Sequence, residues 1–317
     1  MNDQRLHVVL GAGPAGTATA AELASRGERV RHVSRSTIPH VDDRIERRRA
    51  DVSTAEAAVA ATEGAAVIYH AVNVPYHQQV AVLPGVAEAV IAAAARHDAK
   101  LVVLDTLYPY GTADGEAITE QTPWAATSRK GRMRAELDER YLEAHRGGEA
   151  RTVMGRAADF FGPGVLTSTL AATFFPGALT GEPVLGIGDI TLPHSYTYIK
   201  DVAAGLAVLG ADDRGDGRVW HLPTNPAVST AEVHRTVESI TGRPLTVELV
   251  TEAVAYGPFD ERFMAEYAEM FYQNLIPQNM VSAAFESAFD VRPTPMRRAL
   301  EETLAWYAAA FAGDETR

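Results

Sequence analysis

The chain has 317 residues, 46% hydrophobic and 22% charged, which suits one large or two modest globular domains with a sizeable core and excludes disorder or a fibre. Lys+Arg 29 against Asp+Glu 41 leave a net charge of −12, so a nucleic-acid backbone gains nothing from the overall field. Cysteine is absent from the sequence, which excludes disulfides, thiolate metal ligands and a cysteine nucleophile together.

The first half alternates strands and helices. Leu6–Leu10 (LHVVL) reads as a short buried strand, and the glycines after it open an alanine-rich helix over 15–26, stopped by Gly27. A second strand follows at 29–33, a short strand end at 50–52, and a helix over 54–62 with Ser53 as N-cap. The pattern continues with a strand at 65–69, a long helix over 80–96 and a strand at Lys100–Asp105 (KLVVLD). Such succession predicts an α/β fold, a doubly wound parallel sheet with right-handed crossovers. The apolar run before the glycines is too short for a signal or membrane segment, and the richest apolar stretch, 86–95, stops at Arg96. A cytoplasmic protein with no membrane contact is expected.

Beyond Gly111 the rhythm loosens. The sequence predicts a loop over 112–126, a charged helix over 127–145, a strand at 151–154 and a turn at Gly162-Pro163-Gly164. A helix over 201–209, a strand at 218–222 and helices over 230–241, 259–274 and 294–311 complete the reading. No repeat and no low-complexity linker divides the chain.

The strongest local signal is Gly11-Ala12-Gly13-Pro14-Ala15-Gly16, a G-x-G-x-x-G that follows a strand and opens a helix. Gly11 permits the tight turn, Gly13 lets backbone approach a pyrophosphate, and Gly16 lets helix and strand pack closely. The helix N-terminus, with Pro14 and Ala15, adds N–H groups and a positive dipole end. The alternative is a plain βα turn. At the end of the second strand stands Val33-Ser34-Arg35-Ser36 with no acid, so Ser34 and Arg35 suit a 2′-phosphate and favour NADP, with NAD possible. Otherwise Arg35 is a solvated surface charge. Asp51-Val52 stands where such folds meet an adenine ring, or is a simple helix-entry acid.

With these motifs in order, the chain resembles the extended short-chain dehydrogenase/reductase superfamily, the NAD(P)-dependent epimerase/dehydratase group, over nearly its whole length. Thr106-Leu-Tyr-Pro-Tyr110-Gly111, Arg156-Ala-Ala-Asp-Phe-Phe-Gly162-Pro163 and Tyr196-Thr-Tyr-Ile-Lys-Asp201-Val-Ala carry the resemblance beside the glycine motif and Asp51-Val52. It implies a Rossmann domain over 1–160 and a smaller mixed α/β substrate-binding part over 161–317, with segments near 190–225 returning to the first. It also implies a cleft between them, Ala71 and Asn73 beside the cofactor, and a homodimer through the helices over 80–96 and 127–145.

One departure stands out. The family's proton chemistry uses a Tyr-x-x-x-Lys pair on the helix after the fifth strand, with a Ser or Thr that Thr106 matches. Anchoring that helix on Arg134-Ala135-Glu136-Leu137 puts Ser128 and Arg132 at the tyrosine and lysine positions; a register one residue off offers Lys130 or Arg129, and still no tyrosine. Tyr196 and Lys200 have the formal spacing but lie in a different motif. Tyr108, two residues after Thr106, is the nearest phenol that can supply a proton, while packing under its loop is the competing role; Tyr110 belongs to a structural Tyr-Gly turn. His70, Asn73, Tyr76 and His77 follow the fourth strand, where Asn73 can bond the cofactor or a substrate carbonyl.

Asp159 suits a hydroxylated or cationic substrate, or else pairs with Arg156. His194 and Tyr196 reach substrate or form a cap. The spacing of Phe259, Phe263, Met264, Tyr267, Met270 and Phe271 is helical, for core packing or a hydrophobic cover. The cluster over 44–49 (RIERRR) reads as a solvated face, and no metal-ligand pattern is present. These readings point to an NADP-dependent oxidoreductase acting on a small organic carbonyl, alcohol or polarised double bond. The alternatives are an epimerase or dehydratase with tightly bound cofactor, and a non-catalytic dinucleotide-binding redox sensor.

Overall fold

Short apolar runs that cannot be amphipathic must be covered on both faces, and seven strands meet that need in one parallel sheet. The computed structural model describes residues 5–112, 116–257 and 259–312. In it β1 (Leu6–Leu10), β2 (Arg29–Ser34), β3 (Glu46–Arg49), β4 (Ala65–His70) and β5 (Lys100–Asp105) join strands Arg151–Arg156 and Val219–His221. The sheet order is Val219–His221, Arg151–Arg156, β5, β4, β1, β2, β3, with every neighbouring pair parallel. All five β1 residues are buried.

Helices cover both faces. Helix α1 (Pro14–Ser25) packs with helix Ile199–Ala211 on one side. On the other, α2 (Ala55–Ala61) packs with α3 (Gln79–His97), and α3 packs with α4 (Arg129–Arg146). Val9, Val67, Val102 and Val153 face Leu23, Val202 and Leu206, while Val8, Ile68, Leu101 and Met154 face Val86, Val90, Met133 and Leu137. The order reverses between β1 and β4, so their carboxyl ends form the crevice where such sheets bind ligands. The stretch Tyr76–His97 is long and apolar enough to cross a membrane by composition alone; here half of it is buried, as the core helix α3.

Three local expectations change. The strand expected at 50–52 lies instead at Glu46–Arg49, whose four charged residues belong to an edge strand paired only to β2. An edge strand covered on neither face has no apolar pattern to display. Thr54, not Ser53, caps α2: its hydroxyl accepts from the Ala57 N–H at 3.3 Å, while the Ser53 N–H donates to Asp51. Within the loop expected over 112–126, residues 113–115 lie outside the described residues, and Ala117–Ile118 pairs as a short strand with Asn279–Met280.

One polar cluster lies inside this core. Arg156, fully buried at the end of its strand, donates from Nε to Asp105 at 2.7 Å and from Nη2 to Asp138 of α4. Its guanidinium stacks on Tyr110 and Trp124, 4.5 and 4.9 Å from their centroids. Burial first, and then the charge of Asp105, push the Asp138 carboxyl well above its usual range, against the pull of Arg156. Asp138 therefore takes up a proton more readily than an ordinary carboxyl.

A carboxyl whose pKa is raised on folding contributes stability that is complete at low pH and is lost as pH rises through the folded value. Asp138→Asn, which keeps a neutral polar group, should cost less than about 2 kcal/mol and flatten that decline, as read by urea unfolding at pH 5 and pH 9. Arg156→Met strands two buried carboxyls and should cost about 3–5 kcal/mol.

Candidate active site

The glycine loop holds the crevice open. The Gly11 N–H donates to Val33 O and the Ala71 N–H to Leu10 O, each at 2.9 Å, so the ends of β1, β2 and β4 are laced together. Gly11 has φ +107°, and a Cβ there would lie 2.5 Å from Ala71 O; one on Gly16 would lie 2.0 Å from Gly11 O. Gly13 differs: a Cβ there meets nothing within 4 Å. It stands at the start of α1, which has Pro14 in its first turn and no side-chain cap. Ala15 is buried behind it. An uncapped helix start facing open space, with two interlocked glycines behind, fits a dinucleotide pyrophosphate.

Around the end of β2, Ser34 Oγ lies 3.0 Å from Ser36 Oγ, and Arg49 Nε donates to Arg35 O at 3.1 Å. Arg47 and Arg49 line a groove of about 690 Å³ with Ser36, Thr37, Ile38 and Ile45. The cluster at 44–49 is thus partly the wall of a cationic groove beside Arg35. Asp51 is exposed and accepts from the Ser53 N–H at 2.9 Å; the Ser53 side chain first, then that N–H, and the Arg35 charge after them hold its carboxyl below the usual range. Val52 is buried beneath it.

Helix α4 turns a different face to the cleft than the sequence anchor implies. Ser128 is its N-cap, accepting from the Gly131 N–H at 3.1 Å, and Arg132 is exposed with Nη1 on the Thr127 carbonyl. Ser128 Oγ stays near the strand-end turn, since a Cβ on Gly131 would lie 2.8 Å from it and 2.9 Å from Tyr108 O, but it is engaged as the helix cap. Lys130 and Arg134, with the same i, i+4 spacing, reach the residues after β4: Lys130 Nζ lies 5.5 Å from the Tyr76 ring centroid and Arg134 Nη2 3.4 Å from Asn73 Oδ1. Two residues turn a helix by about 200°, so the two pairs lie on nearly opposite faces. Buried Lys130, Met133, Leu137, Tyr141 and Ala144 mark the inner face, a 3–4 spacing present in the sequence that a motif anchor overlooks.

Lys130 is fully buried, and its ammonium is saturated by the segment over 259–274. It donates to Glu266 O at 3.1 Å, Glu266 Oε2 at 2.7 Å and Glu269 Oε1 at 2.6 Å. The Arg129 N–H also donates to Glu269, at 2.6 Å. That segment is helix Glu261–Tyr267 followed by a 3₁₀ turn, Ala268–Asn274. Met264, Met270 and Phe271 pack inward, whereas Phe263 and Tyr267 stand edge-on against Tyr76, with centroids 5.7 and 5.8 Å away. The aromatic run thus serves as both core and cover.

At the strand ends, Thr106 Oγ1 accepts from the Tyr108 N–H at 3.4 Å, and the hydroxyls of Tyr108 and Tyr76 are 2.6 Å apart. Asn73 accepts through Oδ1 from Val74 N, Gln79 Nε2 and Arg134 Nη2, at 3.0, 3.2 and 3.4 Å, which leaves its NH2 as the group it can offer. Asp159 accepts through Oδ2 from Thr169 at 3.0 Å and bonds His194 Nε2 at 3.1 Å; Arg156 is engaged elsewhere. Burial opposes ionisation of Asp159, but His194 and Thr169 hold it below the usual carboxylate range. Burial, with help from Arg134, lowers His70 to about 4, so that imidazole is neutral, and His77 is exposed beside Gln78. Tyr110 bonds His221 at 2.7 Å within the core. Tyr196 bonds Thr230 and Lys200 pairs with Glu302, so the formal Tyr-x-x-x-Lys separates into two unrelated contacts.

A doubly wound sheet with an open glycine-rich helix start at its switch point defines a dinucleotide-dependent enzyme fold. The sequence profile of the NAD dependent epimerase/dehydratase family matches residues 7–222, more than half of the chain, and the chain belongs to that family. It is accordingly an enzyme of the oxidoreductase or epimerase kind, and the family's cofactor class is a nicotinamide dinucleotide.

The fold is similar to that of MoeE5 in complex with UDP-glucose and NAD, at 20% identity and TM-score 0.78, over 97% of this chain and 99% of that one. It is similar to an epimerase from Methanothermobacter thermautotrophicus at 17% identity and TM-score 0.81, over 98% and 94%. The dTDP-glucose 4,6-dehydratase DesIV from Streptomyces venezuelae, with NAD and TYD bound, aligns at 17% identity and TM-score 0.80, over 98% of both chains. No curated protein sequence matches the chain.

The contrast among the glycines gives a direct test. Gly13→Val should leave the thermal unfolding midpoint nearly unchanged and abolish NAD(P)H binding by fluorescence titration, while Gly16→Val should compromise folding itself.

Proposed function

We propose that the protein is an NADP-dependent oxidoreductase that interconverts carbonyl and hydroxyl, or saturates a polarised double bond, on a small organic substrate. The observation that supports this reading is the Tyr108 phenol, carried by the turn after β5 two residues beyond Thr106 and hydrogen-bonded to the Tyr76 hydroxyl from the turn after β4, next to the switch-point crevice. When bound, the nicotinamide dinucleotide donates or accepts the hydride. The glycine loop with Pro14, Ala15 and the α1 N-terminus holds the pyrophosphate, and Asp51-Val52 meets the adenine. Ala71 and Asn73 line the nicotinamide end. Ser34 and Arg35 take the 2′-phosphate, and the support for NADP is the lack of an acid there together with the arginines of the adjacent groove.

On the substrate side, the Thr106 hydroxyl donates to the reacting oxygen and Tyr108 exchanges a proton with it. Tyr76, Phe263 and Tyr267 exclude water from that oxygen, and Asp159 offers a carboxylate to a substrate hydroxyl or cation. Ser128 and Arg132 contribute helix capping and surface charge to this arrangement and no proton. A second reading, an epimerase or dehydratase acting through a transiently oxidised substrate, draws support from the full-length likeness to MoeE5 and DesIV. Cofactor that stays bound through gel filtration would favour it.

NADPH should bind at least about tenfold more tightly than NADH, and Arg35→Ala should erase most of that preference, by fluorescence titration. Equal affinities would remove the arginine argument. In turnover assays with a carbonyl panel, Thr106→Val should lower kcat/KM about 10- to 100-fold and Tyr108→Phe about 10²- to 10⁴-fold, with NADPH affinity kept. Wild-type turnover in Tyr108→Phe would refute that phenol as the acid.

A further inference from the structure

We propose that Tyr76 and Tyr108 form one proton-handling unit, in which Tyr76 donates a hydrogen bond to Tyr108 and Arg134 supplies the cation that stabilises the Tyr108 phenolate. The inference rests on the reading of Tyr108 as the acid and adds two positioning residues to it. Tyr76 rises from the turn after β4 and Tyr108 from the turn after β5, so adjacent strands deliver both hydroxyls to one point, 2.6 Å apart. At that distance one hydroxyl donates and the other accepts.

The surroundings decide which does which. Lys130 lies 5.5 Å from the Tyr76 ring centroid, and its three donors are spent on Glu266 and Glu269. Arg134 is committed differently: Nη2 makes only a long contact with Asn73, and its buried Nε has no hydrogen-bond partner among the described residues. It stands one helical turn after Lys130 on the same face of α4 and touches Asn73, three residues before Tyr76, so its charge is directed at the end of the cleft where the two phenols meet.

Other groups face the pair from the neighbouring elements. Asp159 and Asp105 oppose ionisation of Tyr108, and Tyr267 and Tyr272 present neutral phenols. Burial raises both hydroxyls, but the Tyr76 bond and the Arg134 charge pull Tyr108 back to about 12, whereas Tyr76 stays well above its ordinary value. Tyr108 is therefore the phenol that ionises, and Tyr76 keeps its proton.

In the reducing direction a bound nicotinamide would supply the hydride to the substrate carbonyl carbon as the carbonyl π pair moves to oxygen. That oxygen takes the Tyr108 proton as the Tyr108 O–H bond breaks, and the phenolate left accepts from Tyr76 and regains its proton from water. In the oxidising direction the Tyr108 phenolate takes the hydroxyl proton, and the nicotinamide would accept the hydride.

The test reads Tyr108 directly, in cofactor-free full-length protein carrying 3,5-difluorotyrosine in place of Tyr108, which brings the phenol into an accessible pH range for ¹⁹F NMR. Tyr76→Phe and Arg134→Gln should each move its titration upward by about one pH unit, and Arg134→Lys should restore it. In unlabelled enzyme, Tyr76→Phe should lower kcat about 10- to 100-fold with KM nearly unchanged, and shift the alkaline limb of the pH profile upward. A ¹⁹F titration unmoved in both Tyr76→Phe and Arg134→Gln overturns the unit, even where Tyr108→Phe abolishes turnover and the acid assignment itself stands. Folding of each variant is checked by NADPH binding and by the Arg134→Lys rescue.

Discussion

The buried contact of Arg156 with Asp105 and Asp138 is the constraint on which the cleft depends. Asp105 ends β5, one residue before Thr106; Asp138 lies on the inner face of α4; Arg156 ends the next strand. A guanidinium has a rigid planar fork, so engaging both carboxyls sets the rotation of α4 against the sheet. With Asp138 facing inward, Arg134 one turn earlier and Lys130 two turns earlier must face the strand ends. The helix therefore presents cations toward the strand ends, and the phenols Tyr76 and Tyr108 arrive there from the turns after β4 and β5.

The glycine run shows how one letter serves two purposes. Gly11 and Gly16 are required by the chain's own packing, because each would drive a Cβ into backbone oxygen. Gly13, the N-cap of α1, is under no such constraint, because a Cβ there meets nothing within 4 Å. Close packing thus accounts for two glycines of the run and leaves the third free of it.

Much of this was legible in the sequence where burial imposes a pattern. β1, β5, the glycine loop and the parallel order all follow from short apolar runs punctuated by turn residues. What escaped has physical reasons. β3 is charged because an edge strand needs only backbone partners on one side. The buried face of α4 did not follow from a motif anchored on Arg134-Ala135-Glu136-Leu137, which selects Ser128 and Arg132 and ignores the buried spacing of Lys130, Met133, Leu137 and Tyr141. A fully buried lysine looks polar in any sequence count, and only its partners, Glu266 and Glu269, far along the chain, reveal that it faces inward. The Tyr76–Tyr108 contact spans 32 residues and two turns, beyond any local pattern.

The segment over 259–274 closes on the cleft through two seams of opposite character. One is charged, Lys130 and Arg129 against Glu266 and Glu269; the other is aromatic, Phe263 and Tyr267 against Tyr76. Added salt screens the partly exposed carboxylates while salting-out ions strengthen the aromatic contact, and cooling weakens the aromatic contact alone. The two seams therefore respond to different variables: cooling loosens the aromatic one and leaves the ion pairs, and a salting-out electrolyte screens the ion pairs while it tightens the aromatic one.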